Sequence, residues 1–186
     1  MENENQSPSP VESIDQPLQL SHAAGNLQMA CIFQPDPNPI RVSPKVGNPT
    51  VRDLRVILSR RRMADPVYLS RITITIPVGD DTGPALSVEQ LPQPRLVTPG
   101  DWSVTTTDSR TVTIKSAMAD SQLTFNESSL VFVLPAIRIN TEPGIVTVTV
   151  KEYESTDDDD PATGKVELKK REAAFPVETS MPTSRS

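Results

Sequence analysis

The stretch 72–76 reads Ile-Thr-Ile-Thr-Ile, and this alternation of apolar and polar residues decides the fold. The same alternation recurs in Thr-Val-Thr-Ile-Lys at 111–115 and in Val-Thr-Val-Thr-Val at 146–150. Successive side chains of a β-strand point to opposite faces, so each stretch presents one apolar face and one polar face. The pattern therefore predicts half-buried antiparallel strands.

Further strands are predicted wherever short apolar or alternating stretches lie between turn residues. The predicted strands are 51–59, 67–76, 102–107, 111–116, 122–125, 130–134, 136–140 and 145–153, and the candidates for one further strand at each end are 27–33 and 165–170. The stretch 130–134 is apolar throughout, which predicts a central position in a sheet or cover on both faces. Three prolines in 34–40 predict an extended segment that cannot donate regular ladder hydrogen bonds.

Turn residues predict how some of these strands connect. Thr107-Asp108-Ser109-Arg110 is predicted to form a tight hairpin between 102–107 and 111–116. Glu142-Pro143-Gly144 is predicted to form a second hairpin, between 138–140 and 145–150. The segment 79–96 is the longest irregular stretch of the folded part, and loops of that length are often functional.

Short strands without any amphipathic helical pattern predict an all-β fold, an antiparallel two-sheet β-sandwich of about seven to nine strands. A closed barrel is the alternative architecture. The order of strands and turns over roughly 40–175 resembles immunoglobulin-like and fibronectin-type sandwich modules in fold class. The paired cysteines of antibody-type domains are absent, and fold class alone carries no function over.

Composition predicts one folded domain with polar ends. Residues 1–26 hold four acidic residues and no basic ones, which predicts a disordered acidic segment. Residues 27–175 are expected to form a single β-sandwich domain, and 176–186 a disordered polar tail.

Charge argues against several partner classes. The chain carries a net charge of −6, and residues 27–186 contain 20 acidic and 18 basic groups, a balance of −2. A nearly neutral domain is not expected to bind nucleic acid. No leader-like or membrane-spanning stretch is present, so a soluble cytoplasmic protein is expected, with signal-less export still open. The single Cys31 cannot form an intramolecular disulfide.

The sequence also argues against most enzymes. Its one histidine, His22, lies in the segment expected to be disordered, so a rigid Ser–His or Cys–His pair is not expected. A zinc site needs several His or Cys ligands, and no glycine-rich phosphate loop is present. No catalytic residue and no cofactor other than calcium is therefore predicted.

Acidic loops supply the candidate metal ligands, because Ca²⁺ prefers carboxylate and carbonyl oxygens. The candidates are Asp80, Asp81, Asp157, Asp158, Asp159 and Asp160. Neither run has the spaced aspartates of a calcium loop, and a solvated acidic loop is the alternative interpretation.

Basic and aromatic residues supply the candidate contacts. Arg60, Arg61 and Arg62 follow a predicted strand, and together they could bind a phosphate or an acidic partner. A charged strand end that discourages edge pairing is the alternative. Trp102 begins a strand and is expected to pack between the sheets, with an exposed binding anchor as the alternative.

These observations favour a non-enzymatic module that binds a protein partner through its loops or through a strand edge. A structural subunit that self-associates edge to edge is the second hypothesis. A calcium- or carbohydrate-binding module is the third, although few aromatic residues are available to stack on sugar rings.

Overall fold

A computed structural model describes residues 27–36, 40–61, 65–79, 84–126, 129–157 and 160–171. Over these residues the chain forms β-strands and no helix, which confirms the all-β class. The strands are Met29–Asp36 (β1), Ile40–Arg41 (β2), Val51–Arg60 (β3), Val67–Leu69 (β4), Arg71–Thr75 (β5), Arg95–Leu96 (β6), Trp102–Thr106 (β7), Thr111–Ser116 (β8), Leu123–Phe125 (β9), Leu130–Arg138 (β10), Gly144–Tyr153 (β11) and Ala162–Arg171 (β12). The count of twelve exceeds the predicted seven to nine because the two-residue strands β2 and β6 were not predicted and the predicted strand 67–76 is divided into β4 and β5.

The strands form three sheets. A four-stranded sheet has the order β1-β3-β10-β6, and a six-stranded sheet has the order β2-β12-β11-β5-β8-β7. The strands β4 and β9 form a separate two-stranded sheet. Every ladder is antiparallel except the short parallel one between β2 and β12. The apolar stretch 130–134 lies in β10, between β3 and β6, so its predicted central position is confirmed.

One hydrophobic core joins the sheets, an arrangement consistent with a β-sandwich. The isoleucines at 72, 74 and 76 are fully buried, while the threonines at 73 and 75 between them remain half-buried, as the alternation predicts. Inward-facing residues of β3, β10, β11 and β12 belong to the same cluster. Burial of these aliphatic side chains supplies the main stabilisation, at about 1.5–3 kcal/mol for each one fully removed from water.

The first predicted hairpin is confirmed, because β7 and β8 pair antiparallel with Thr106 opposite Val112. The Asp108 carboxylate accepts hydrogen bonds from the backbone N–H groups of Arg110 and Thr111, at 2.8 and 2.7 Å. The bond from Arg110 is the largest cause that lowers the pKa of Asp108.

The second predicted hairpin is wrong, because β10 and β11 belong to different sheets. The turn residues at 142–144 reverse the chain, but they do not determine which layer it enters. Here the chain crosses between layers, so the apolar faces of β10 and β11 join one core from two sheets. The buried Lys170 ammonium secures this crossing by donating hydrogen bonds to the carbonyls of Ala85 and Glu142.

Two other strand predictions, and the predicted extended segment, differ from the structure. The predicted strand 67–76 is divided at Ser70, whose N–H donates to the Tyr153 carbonyl at 2.7 Å, into β4 and β5 of different sheets. The predicted strands 130–134 and 136–140 form one strand with a bulge between Leu134 and Ile137. The start of the predicted extended segment 34–40 pairs within β1, where Pro35 faces Leu54. An edge strand tolerates this proline because its missing N–H would point away from β3.

None of the described residues forms a helix long and apolar enough to cross a membrane. The predicted disordered segments 1–26 and 176–186 lie outside the described residues, as does the end of the predicted domain after residue 171.

Candidate functional site: an open strand edge

The backbone bonds of β7 determine which of its polar groups face outward from the sheet. The Ala117 N–H donates to the Asp101 carbonyl at 2.8 Å, and the Thr107 N–H donates to the Thr111 carbonyl at 2.9 Å. The direction of backbone polar groups alternates along an antiparallel strand. The odd-numbered residues of β7 therefore bond to β8, and the even-numbered residues direct their N–H and C=O groups away from it.

At one end of β7 these outward groups are already covered. The Gln93 side-chain amide donates to the Thr106 carbonyl at 3.2 Å and accepts from the Thr106 N–H at 3.1 Å. The Thr106 hydroxyl also donates to the Pro92 carbonyl at 2.7 Å. The Gln93 amide thus occupies the position of a neighbouring strand, but only beside Thr106.

The remaining outward groups belong to Trp102 and Val104, and no described residue offers them a hydrogen-bond partner. Both residues are only partly buried, and the sequence Trp-Ser-Val-Thr-Thr of β7 carries no charge. Unpaired backbone groups on an accessible, uncharged strand are a template for the addition of another strand. We define the β7 edge as the outward backbone groups of Trp102 and Val104.

The side chain of Trp102 supports the start of this edge. Its ring stacks on Phe125 with centroids 5.0 Å apart and an interplanar angle of 30°. A Cβ added at Gly100 would lie 2.0 Å from the indole Nε1, and Gly100 has a φ of +154°, a value that L-residues rarely adopt. Glycine at 100 therefore lets the chain pass over the indole, and the partly buried ring packs against the hydrophobic core. Its predicted position between the sheets stays a prediction.

The strand β6 forms the corresponding edge of the four-stranded sheet, and residues 97–101 join it to β7. The Val97 N–H donates to the Val131 carbonyl at 2.9 Å, so the backbone of Leu96 faces outward. Leu96 and Val97 are 37% and 45% exposed. The edge at β6 therefore combines an outward-facing backbone with the exposed apolar side chains of Leu96 and Val97.

The other long edges are less suited to strand addition. The strand β2 covers β12 only at residues 170 and 171. Along the rest of β12 the side chains of Lys165, Glu167 and Lys169 are exposed, and such charges oppose pairing with another strand. Along β1 the outward-facing residues Cys31 and Phe33 are 1% and 0% exposed, so a further strand cannot reach their backbone. Of these three strands, β7 is therefore the one whose outward backbone is accessible and whose side chains carry no charge.

Two grooves of mixed polar and apolar lining lie beside the connection between β8 and β9. One has a volume of 370 Å³ and is bordered by Trp102 and Met118; the other, of 480 Å³, is bordered by Arg71, Lys115 and Glu154. Neither groove is lined by histidine or cysteine.

Burial raises the pKa of the Cys31 thiol, which keeps it protonated and unreactive.

The predicted arginine cluster lies at the end of β3 in the four-stranded sheet, whereas β7 belongs to the six-stranded sheet. The Arg60 guanidinium donates to the Asp65 carbonyl at 3.0 Å, and the Arg61 N–H donates to the Gln28 carbonyl at 3.0 Å. Arg62 lies outside the described residues. The cluster's role in partner binding stays a prediction.

Of the candidate calcium ligands, Asp157 and Asp160 are described, and both are exposed. Asp80, Asp81, Asp158 and Asp159 lie outside the described residues. The described part of the chain contains no group of three or more His, Cys, Asp or Glu side chains that could hold a metal ion.

Sequence reasoning predicted the strand at 102–107 but did not single out Val104 or Gln93. The available signal was the lack of charge in 102–106, in contrast to the alternating charges at 165–171. That signal identifies an edge only once the order of strands is known.

Comparisons with known proteins leave the family open. No family model matches the sequence, and no curated protein matches it. Among solved structures, the chain aligns with the crystal structure of human F-spondin reeler domain (fragment 1) at a TM-score of 0.40 and 13% sequence identity. The alignment covers 78% of this chain and 91% of that one.

Proposed function

We propose that this chain is a non-enzymatic protein-interaction module that binds an extended segment of a protein partner along the β7 edge. The observation that carries the proposal is the pair of outward-facing residues, Trp102 and Val104, whose backbone groups have no partner within the described structure. Each hydrogen bond to an added strand contributes about 0.5–1.5 kcal/mol. Backbone pairing provides affinity, and side-chain contacts provide specificity.

Exposed apolar residues beside the edge support the same function. Leu96 and Val97 lie at the adjacent edge of the four-stranded sheet, where a bound segment can cover them. An immunoglobulin-like sandwich is the fold style we propose, supported by the core that the two large sheets share. In such a fold the sheets hold the edge rigid, and the partner supplies the segment that becomes ordered.

Val104→Pro tests this function because it removes the outward N–H while leaving the ladder bonds between β7 and β8. Displayed ten-residue peptides are selected against the full chain, and their affinity is measured against this variant. Binding is expected to weaken about ten-fold or more, since one backbone donor is lost and the proline ring obstructs the incoming strand.

Lys165→Pro is the matched control. The Val42 N–H donates to the Arg171 carbonyl at 3.0 Å, so the odd-numbered residues of β12, Lys165 among them, direct their backbone groups away from β11. The strand β12 lies beside β2, far from β7 in the order of the six-stranded sheet. We expect this variant to retain peptide affinity. Hydrogen exchange should show protection of the Val104 amide on binding. Peptides that bind equally well to the Val104→Pro variant and protect another surface would show that the proposed function is wrong.

A further inference from the structure

We infer that the segment bound at the β7 edge is the β7 strand of a second copy of this chain, in a two-fold symmetric antiparallel dimer. The inference rests on the proposed function, because it uses the same unpaired groups. It also specifies a self-associating role that the sequence left as an alternative. The strand register of the dimer follows from the positions of Trp102, Val104 and Gln93.

The unpaired groups of β7 are complementary to themselves. When Ser103 lies on the two-fold axis, Trp102 of each copy faces Val104 of the other. Each of these facing residues then donates one N–H and accepts through one C=O, as a hydrogen-bonded pair of an antiparallel ladder does. The two copies therefore satisfy all the unpaired outward groups of β7 at once.

Gln93 determines this register. If the pairing were centred on Val104, Trp102 would face Thr106 of the second copy, whose N–H and C=O are already bonded to the Gln93 amide. That register would leave Trp102 without a backbone partner. The hydrogen bonds between Gln93 and Thr106 thus restrict pairing to Trp102 and Val104, whose outward backbone groups have no partner.

The side chains of the edge are also compatible with self-pairing. Trp102 would lie opposite Val104 of the second copy, and aromatic–β-branched pairs across strands are favourable. The small Ser103 lies at the axis, where the strands approach most closely. The strand β7 contains no charged residue, so the symmetric contact places no like charges opposite each other.

The same rotation brings further apolar surface together. A two-fold axis between antiparallel strands runs perpendicular to the sheet, so it also turns the β6 edges of the two copies toward each other. Leu96 and Val97, 37% and 45% exposed in the single chain, face this side. Closed two-fold dimers are the commonest assemblies of identical chains, and they leave no open end for further growth.

A single cysteine at the axis tests the register. In the inferred dimer the two Ser103 residues form a non-hydrogen-bonded pair with Cα atoms about 4.5 Å apart, a distance that a disulfide can span. We expect the full-length Ser103→Cys protein to form a covalent dimer under mild oxidation. The native Cys31 does not compete, because it is 1% exposed.

Thr105→Cys is the matched control on the same face of β7. Its two copies would lie about 13 Å apart in this register, which is too far for a disulfide. Thr105 is also more exposed than Ser103, so accessibility alone favours cross-linking of the control. We expect Ser103→Cys to cross-link about ten-fold faster or more, and equal rates would overturn the inferred dimer.

Sedimentation of the full chain separates this inference from the proposed function. A concentration-dependent dimer whose dissociation constant rises about ten-fold in Val104→Pro supports the inference. A chain that remains monomeric at millimolar concentration, yet binds selected peptides at Val104, shows that the dimer is wrong and the interaction module is right. If neither association nor peptide binding depends on Val104, both proposals are wrong.

Discussion

At the scale of single residues, Glu152 shows how one buried carboxylate joins two sheets. It continues the inward-facing row of Val146, Val148 and Val150 on β11 and is 1% exposed. Its oxygens accept hydrogen bonds from the backbone N–H groups of Gln28 and Met29, each at 2.8 Å. The six-stranded sheet is thereby tied to the start of β1 in the other sheet.

The first prediction concerns the pH dependence that Glu152 gives to stability. Burial raises the pKa of Glu152, and the two backbone hydrogen bonds and the nearby Arg61 only partly offset that effect. A carboxyl group with a raised pKa in the folded state stabilises the protein fully below its unfolded pKa of about 4.3, and this contribution is lost as pH rises through the folded pKa.

Glu152→Gln removes that titration. The unfolding free energy of the native chain minus that of the variant is therefore expected to decrease as pH rises above about 4.3. Urea titrations at several pH values measure this difference. Glu167→Gln, an exposed change on β12, is the control and should show no comparable slope. A native-minus-variant difference that increases with pH would show that the hydrogen bonds outweigh burial.

The sequence could predict that position 152 faces inward, but not that it holds a carboxylate with two partners. The alternation at 146–150 extends by one step to 152, and this is a local pattern. The N–H groups that bind Glu152 lie more than 120 residues earlier in the chain. Contacts of such sequence separation depend on the order of strands, which local patterns do not encode.

At the scale of elements, the bulge in β10 is held by one residue in an unfavourable conformation. Ala136 has a φ of +53°, which costs an L-residue about 1–2 kcal/mol. Its N–H donates to the Asp53 carboxylate at 2.8 Å, which fixes the bulge against β3. Ladder pairing resumes with Ile137 opposite Arg52.

The second prediction is that Ala136→Gly stabilises the protein. Glycine adopts this conformation without the steric cost, and we expect a gain of about 0.5–1 kcal/mol after its greater unfolded-state entropy is counted. Thermal and urea unfolding measure the change. Ala117→Gly, at an exposed residue with negative φ, is the control and should destabilise or leave stability unchanged. Loss of stability at 136 would contradict the strain assigned to the bulge.

Strand positions were predictable, whereas strand partners were only partly so. The predicted strand 111–116 matches β8, because alternation and flanking turns are local signals. The assignment of 138–140 and 145–150 to one hairpin was wrong, because the buried Lys170 and the shared core bring the chain across to the other sheet. The β7 edge could not be predicted for the same reason: β7 is an edge strand only because of the order of strands in the sheet, which local sequence patterns do not encode.

At the scale of the whole molecule, the net charge comes from residues outside the β7 edge. The chain carries a net charge of −6, of which residues 1–26 contribute −4, while the β7 edge carries none. Two copies therefore repel each other overall, while the surfaces inferred to meet attract through backbone hydrogen bonds and apolar contact. Exposed charges are screened by salt, but buried contacts are affected much less.

The last prediction follows from the net charge of the chain and the lack of charge at the β7 edge. Raising the salt concentration from about 20 mM to about 500 mM shortens the screening length from roughly 20 Å to roughly 4 Å and weakens the repulsion between copies. The dissociation constant of the dimer is therefore expected to fall about two- to three-fold, as measured by sedimentation of the full chain. A surface held by ion pairs would respond in the opposite direction, because salt weakens attraction between opposite charges. If association weakened with salt, the arginine cluster would replace the β7 edge as the contact, and an Arg60→Ser, Arg61→Ser double variant would then abolish it.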